Sequence, residues 1–274
     1  MKYTELSIDT PDSKTAEILV ALLSDFPFES FSEEEGPLKA YIRTADLAPC
    51  KNEIEEIVRG YGGGFTFAEL EERNWNEVWE SNFEPVIVEN RCLIRAPFHP
   101  SGVGFEYEVE IMPKMSFGTG HHATTYLMTA EIMESDLGGL TGLDMGSGTG
   151  VLAILAVKTG ASHVDAVDID EWAYENCIEN ITANGASGKI TPIIGDAAAI
   201  EGKTYDFILA NINRNILLAD MSAYVKTLKN GGLLIVSGIL QADITAIREK
   251  AESLGLRYIS QRLRDGWAAV RFTK

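Results

Sequence analysis

Leu143-Asp-Met-Gly-Ser-Gly-Thr-Gly150 decides how the rest of this chain reads. The mostly apolar run Thr141–Met145 leads into three glycines at alternate positions, Gly146, Gly148 and Gly150. A second apolar run, Val151-Leu-Ala-Ile-Leu-Ala156, has the look of a helix. The expected order is strand, tight turn, helix. Side chains in such a turn would block a ligand from the backbone and from the helix N-terminus, so glycine is the residue a site there requires. The dinucleotide fingerprint is G-x-G-x-x-G. Here the third glycine comes one residue too early for it, and Asp144 stands two residues before the first.

Downstream of the turn the α/β rhythm is regular. His163 to Asp168 reads as a second strand ending in Asp168-Ile-Asp170, and Glu171 to Asn184 as a helix stopped by Asn184-Gly185. Lys189 to Ile194 closes on Gly195-Asp196, Tyr205 to Ala210 closes on Asn211-Ile-Asn213, and Gly231 to Gly238 is a fifth strand. A helix from Gln241 to Leu254 and strands at Arg257–Arg262 and Ala268–Phe272 complete the chain. Polar residues therefore recur at the ends of the first four strands: Asp144, Asp168, Asp196 and Asn211. In an open α/β sheet the ligand lies at the carboxyl ends of the strands, and an acid about 20 residues beyond the first glycine commonly grips a ribose diol. Each of these residues alone is an ordinary helix cap or turn former. Four in succession behind a glycine turn point to a site.

Upstream, residues 1–71 read as a separate unit. Strand-like runs at Tyr3–Ile8, Phe28–Phe31, Leu38–Arg43 and Phe65–Leu70 alternate with helical spacing at Ser13–Phe26 and Pro49–Tyr61. The order βαββαβ is that of the ferredoxin-like unit, shared with RNA-recognition modules. Against RNA, this segment holds 15 Asp and Glu and only 6 Lys and Arg. Residues 72–110 are expected to be a linker with short strand-like runs at Pro85–Val88, Cys92–Ala96 and Phe105–Ile111. Trp75 and Trp79 within it are spaced to share one side of a helical turn, as packing residues do. Next, Phe117-Gly-Thr-Gly-His-His-Ala-Thr-Thr125 precedes the apolar run Tyr126–Met133. Such a loop can wrap a polar ligand in N–H groups and hydroxyls. Adjacent histidines do not share a helix face and no carboxylate stands beside them, so His121 and His122 are expected to enclose a ligand or start a helix, not to bind metal.

Composition narrows the class. With 274 residues, 45% hydrophobic and 23% charged, the chain suits one large and one small globular domain. No apolar run approaches the ~20 residues that span a bilayer, and the N-terminus MKYTELSIDT resembles no leader. Cys50, Cys92 and Cys177 are scattered and form no CxxC pair, which fits reduced thiols in a cytoplasmic protein. The formal charge of −18 repels phosphate backbones and attracts basic proteins. A metal, a nucleic acid and a membrane are accordingly not expected as partners.

The D-x-G-x-G-x-G pattern resembles that of doubly wound S-adenosylmethionine-dependent methyltransferases. Over essentially its whole length the chain resembles one family of these, PrmA, the ribosomal protein L11 methyltransferases. The resemblance rests on NWNEVWESNFEPVIV, FGTGHHATT, LDMGSGTG, DIDEWA, LANI and LIVSGIL, in that order behind the ferredoxin-like unit. Many members have proline where Ala123 stands and no histidine at His121; these departures change loop stiffness and leave the threonines in place. The resemblance implies a monomeric enzyme that moves methyl groups from S-adenosyl-L-methionine, without metal, to lysine side chains and the N-terminal amine of a large-subunit ribosomal protein. It implies cofactor contacts at Thr125, Gly146, Asp168 and Asn211. Gly146 and Gly148 would let the backbone approach the methionine part, Asp144 would lie near its ammonium and Asp168 would accept from the ribose. Ile169 would pack on the adenine, Asp196 would accept from its amino group, and Asn211 would stand where the methyl group points, as the catalytic residue.

The expectation is thus an α/β protein: a ferredoxin-like substrate-recognition domain at 1–71, a linker at 72–110 and a doubly wound, Rossmann-like methyltransferase domain at 111–274. Two other readings compete with it: a methyltransferase for another protein or a small-molecule amine, and a cofactor-binding regulator without catalysis.

Overall fold

The structure, a computed structural model, describes residues 3–32, 37–61, 63–70, 84–114 and 118–274. Trp75 and Trp79, and Phe117 at the head of the glycine-histidine loop, lie outside the described residues. The chain divides into two compact units, Met1–Phe83 and Glu84–Lys274.

The first unit is built from β1 (Tyr3–Ile8), α1 (Ser13–Leu23), β2 (Phe28–Ser32), β3 (Leu38–Arg43), a single turn α2 (Thr44–Leu47), α3 (Lys51–Tyr61) and β4 (Phe65–Leu70). The strands pair antiparallel in the order β2-β3-β1-β4, the ferredoxin-like arrangement. Alternation along β1 buries Thr4, Leu6 and Ile8 on the face that receives Leu19 and Leu23 of α1 and Ile54 and Val58 of α3. Asp12 caps α1 by accepting from Thr15 N at 2.7 Å. That helix stops at Leu23, three residues before the Phe26 expected from periodicity. Phe26 precedes Pro27, which disfavours helical backbone at the residue before it.

The second unit holds β5 (Val86–Val88), β6 (Cys92–Arg95), β7 (Tyr107–Glu110), α4 (Ala123–Met133), β8 (Thr141–Met145), α5 (Val151–Lys158), β9 (His163–Asp168), α6 (Glu171–Ala183), β10 (Ile190–Ile194), β11 (Tyr205–Asn211), α7 (Arg214–Thr227), β12 (Leu228–Leu240), α8 (Ile244–Ser253), β13 (Arg257–Arg264) and β14 (Trp267–Thr273). Seven strands form one sheet in the order β10-β9-β8-β11-β12-β14-β13. The first five run parallel, and β14 lies antiparallel between β12 and β13. Both faces are covered, as parallel sheets require. Phe207 and Leu209 of β11 enter a core with α4, α5 and α6. Ile208 and Ala210 enter the opposite core with α7 and α8.

Residues 84–110, read from sequence as part of a linker, belong to this second unit. β5, β6 and β7 make a three-stranded sheet whose Val88, Cys92, Ile94 and Val109 share the core of α4 and α5. Side-chain amides fix its edge. Asn184 accepts from Glu110 N at 3.0 Å and donates to Glu110 O at 2.6 Å, and Asn180 accepts from Met112 N at 2.8 Å. Arg95, itself buried, pairs with Glu108 at 2.6 Å and Glu110 at 2.8 Å. These partners are 68 to 74 residues apart in sequence for the amides, so local pattern gave no sign of them.

Gly142 in β8 lies under the fully buried Phe207 ring, and a Cβ there would stand 2.0 Å from Phe207 Cζ. Gly142→Ala is therefore expected to lower stability by about 1–3 kcal/mol through overpacking. A denaturant midpoint equal to the wild type would contradict this contact.

Candidate active site

The turn after β8 is held from both sides. Gly146 N and Ser147 N both donate to Val167 O, at 2.8 and 3.0 Å, tying the turn to the end of β9. Asp168 Oδ2 accepts from Gly148 N at 2.8 Å, and its Oδ1 accepts from Asp170 N at 3.0 Å. Thr149 donates its hydroxyl to Gly118 O at 2.8 Å, which brings the glycine-histidine loop against the turn. The backbone at Gly146 is left-handed, with φ of +72°, and a Cβ there would meet Ile212 Cγ2 at 2.2 Å. From the other side Gly238, at φ of +81°, allows the β12 backbone to pass so close that a Cβ would lie 2.3 Å from Ile212 O. Ile212 is thus seated between two glycines on neighbouring elements.

A cavity of about 560 Å³ opens at the carboxyl ends of these strands. Six of the expected site residues line it: Gly146, Gly148, Asp168, Ile169, Asp196 and Asn211. Asp170, Ile212, Ile216 and Asp220 line it too. Among the described residues its wall carries four carboxylates and no Lys, Arg or His, so it suits a ligand rich in hydrogen-bond donors and opposes phosphate. Asn211 ends β11 with its side chain buried and its Oδ1 without a hydrogen-bond partner among the described residues. A buried acceptor left unpaired costs on the order of 1–3 kcal/mol, so a ligand donor there would recover it.

A second cavity of about 270 Å³ is lined by His122, Thr124, Asn211, Ile212, Asn213, Gly238 and Trp267. Asn211 and Ile212 are common to the walls of both cavities. His122 starts α4, its Nδ1 accepting from Thr124 N at 3.3 Å, and its ring meets Trp267 edge to face at 4.7 Å. His121 sits elsewhere, with Nε2 2.9 Å from Glu84 O. The helix-starting role expected for this histidine pair falls to His122.

Two expected contacts lie outside both cavities. Thr125 is 1% exposed, with no partner for its hydroxyl among the described residues, while its neighbour Thr124 reaches the second cavity. Asp144, expected beside a ligand ammonium, is fully buried under the turn, where Oδ2 accepts from Ala153 N at 3.1 Å. Burial pushes its carboxyl up to about 7; the Ala153 N–H works against this and the nearby Asp168 charge adds to it. Asp220 and Ile216 were not legible as site residues. They sit four apart on α7, and only the packing of that helix beside β11 brings them to the cavity.

A doubly wound sheet with an antiparallel strand inserted near one edge, a glycine turn after β8 and acids at the ends of β9 and β10 defines a methyltransferase domain. Residues 6–274 match the model of a family described as ribosomal protein L11 methyltransferase (PrmA). The chain is 45% identical over 279 residues to a ribosomal protein L11 methyltransferase of Bacteroides fragilis, covering 99% of each. It is 35% identical over 283 residues to one of Chlorobaculum parvum, covering 98% of this chain and 95% of that relative. The crystal structure of a ribosomal protein L11 methylase from Lactobacillus delbrueckii subsp. bulgaricus aligns with a TM-score of 0.65 at 25% identity, over 70% of this chain and 99% of that one. The chain belongs to the ribosomal protein L11 methyltransferase family.

The raised carboxyl of Asp144 has a consequence for stability. Between its ordinary value of 3.8 and its folded value of about 7 the folded protein holds a proton that the unfolded chain gives up, so stability falls as pH rises through that window. Asp144→Asn removes this dependence. The melting temperature of the variant relative to wild type is expected to climb between about pH 5 and about pH 8. A constant difference across that range would show that Asp144 keeps its charge in the fold.

Proposed function

We propose that the protein transfers methyl groups from S-adenosyl-L-methionine to lysine side chains and the N-terminal amine of ribosomal protein L11. The observation that carries this reading is the shared wall: Asn211 and Ile212 face the donor cavity on one side and the His122–Trp267 cavity on the other. The donor's residues fit the first cavity. Gly146 and Gly148 leave room for the methionine part, and Asp168 retains free lone pairs for the ribose hydroxyls. Ile169, 71% exposed on the cavity wall, offers an apolar face for the adenine, and Asp196 an acceptor for its amine. Bound there, the sulfonium supplies an electrophilic methyl group with a good leaving group.

The remaining chemistry is positioning. An ammonium has no lone pair, and a lysine with a reference pKa of ~10.4 must shed its proton first. Entry into the apolar second cavity, between His122 and Trp267, disfavours the charged amine and lowers that value. The unpartnered Asn211 Oδ1 then accepts an N–H of the neutral amine and turns its lone pair toward the donor cavity. The first unit recognises the protein substrate. Its net excess of acids, 15 against 6 basic residues over 1–71, suits a cation-rich partner and not RNA. We take the enzyme to act as a monomer in the cytoplasm, the compartment in which a ribosomal substrate is met.

Mass spectrometry of unmethylated ribosomal protein L11 incubated with enzyme and S-adenosylmethionine tests the reaction directly. Gains of 14 Da units on lysine or N-terminal peptides are expected; an unmodified substrate would refute the assignment. Asn211→Ala should slow single-turnover methylation roughly tenfold or more, the kinetic equivalent of one lost acceptor, while the fold is retained. A rate equal to wild type would remove Asn211 from the mechanism. A chain beginning at Glu84 should still bind S-adenosylhomocysteine yet methylate L11 poorly. For the full chain, salt should slow substrate capture, since a Debye length of about 8 Å at physiological ionic strength screens the acidic unit. Wild-type kcat/KM from the shortened chain would end this division of labour.

A further inference from the structure

We propose that Asp220 determines specificity for the methyl donor: with Asp196 it accepts the two N–H groups of the exocyclic amine on the donor's purine. This rests on the reading of the larger cavity as the donor site. Asp220 lies one turn after Ile216 on α7, and both side chains reach the cavity wall. Asp196 stands at the end of β10 and lines the same cavity. One of its oxygens is committed, since Oδ1 accepts from Ala198 N at 2.9 Å, and Oδ2 remains for a ligand. Among the described residues Asp220 makes no hydrogen bond and no ion pair, and no cationic side chain lines the cavity to offset it.

Partial burial, and then the charge of Asp196, raise the Asp220 carboxyl above its ordinary value. The protein therefore holds two like charges near one another in a half-enclosed space without a counter-ion, an arrangement that costs stability in the free protein. Asn211 repeats the theme on the same wall with a buried, unpartnered amide oxygen. Every polar side chain that argues for a ligand here is an acceptor. On an adenosyl group the donors are the two ribose hydroxyls and the exocyclic amine. Asp168, bound to the glycine turn, is placed for the hydroxyls. The Asp196–Asp220 pair is left for the amine, with one carboxylate for each N–H. A purine carrying a keto oxygen at that position would set a third acceptor against two carboxylates. Such a site rejects the analogue that lacks the donor, because its own polar groups are left unpaired.

Asp220 has no protein partner to lose, so its substitution leaves the fold intact. The test is calorimetric titration of the full-length protein with S-adenosylhomocysteine and with its hypoxanthine counterpart, S-inosylhomocysteine. Wild type is expected to prefer the adenine ligand by roughly thirtyfold or more. In Asp220→Asn, whose amide can donate to the keto oxygen, the preference should shrink to roughly fivefold or less, and Asp220→Glu should recover part of it. Without ligand, Asp220→Asn should melt no lower than wild type, because the repulsion from Asp196 is relieved. A merely structural residue would shift both affinities together and leave their ratio unchanged. An unchanged ratio in Asp220→Asn, or no preference in wild type, overturns the inference alone. Wild type binding neither ligand overturns the donor reading of the cavity, and the inference with it.

Discussion

The hydrogen bond from Gly148 N to Asp168 Oδ2, 2.8 Å long, holds the site together. It ties the turn after β8 to the end of β9, and both line the larger cavity. It also orients the carboxylate, whose other oxygen takes Asp170 N at the start of α6. Asp168 is thus set by backbone groups on both oxygens before any ligand arrives, and each oxygen keeps a lone pair to offer. Beneath the turn Asp144 does a complementary task for α5 through Ala153 N. One acid braces the turn from the cavity side and another from inside the core, and their nearness contributes to the raised carboxyl of Asp144.

From this turn follows the partition of the active site. With no Cβ at Gly146 or Gly238, Ile212 can rest against both neighbouring backbones. The peptide that follows β11 therefore separates two cavities, with Asn211 on the boundary. An enzyme that moves a methyl group needs such a boundary, because donor and acceptor have opposite requirements. The cavity proposed for the donor is lined by carboxylates, which can accept from hydroxyls and amines. On the proposed reading the acceptor side is the cavity bounded by His122 and Trp267, whose apolar wall would disfavour a charged amine. The unpaired acceptors at Asp220 and Asn211 are destabilising features of the free protein, which the proposed donor would offset.

Sequence resolved what is local and missed what is assembled at long range. The glycine turn and the acids at the strand ends were legible because strand, turn and helix follow directly along the chain. The ferredoxin-like unit was legible from its period-2 and period-3.6 runs, although periodicity carried α1 past its end at Leu23 to Phe26, the residue before Pro27. β5 to β7 were read as linker, because short strands without turn fingerprints declare no partner; their attachment depends on Asn180 and Asn184, far along the chain. Asp144 was read toward the ligand because its motif position says nothing about which way its side chain turns; complete burial shows that it turns inward. That Thr124 lines the smaller cavity while the hydroxyl of Thr125 is buried is a matter of helix phase, fixed only once His122 caps α4. Trp267 could be joined to His122 only by the fold, since 145 positions separate them and β14 lies antiparallel beside β12. Asp220 carries no fingerprint at all: an acid on a helix reads as solvated surface until the helix is packed.

A crystal structure of the protein with S-adenosylhomocysteine tests the central claim most directly. The expected result places the ribose hydroxyls within hydrogen-bond distance of Asp168, the purine toward Asp196 and Asp220, and the sulfur beside the Gly146–Ile212 contact, facing Asn211. Ligand density outside this cavity, or a reversed nucleoside with its purine against Gly146, would contradict it.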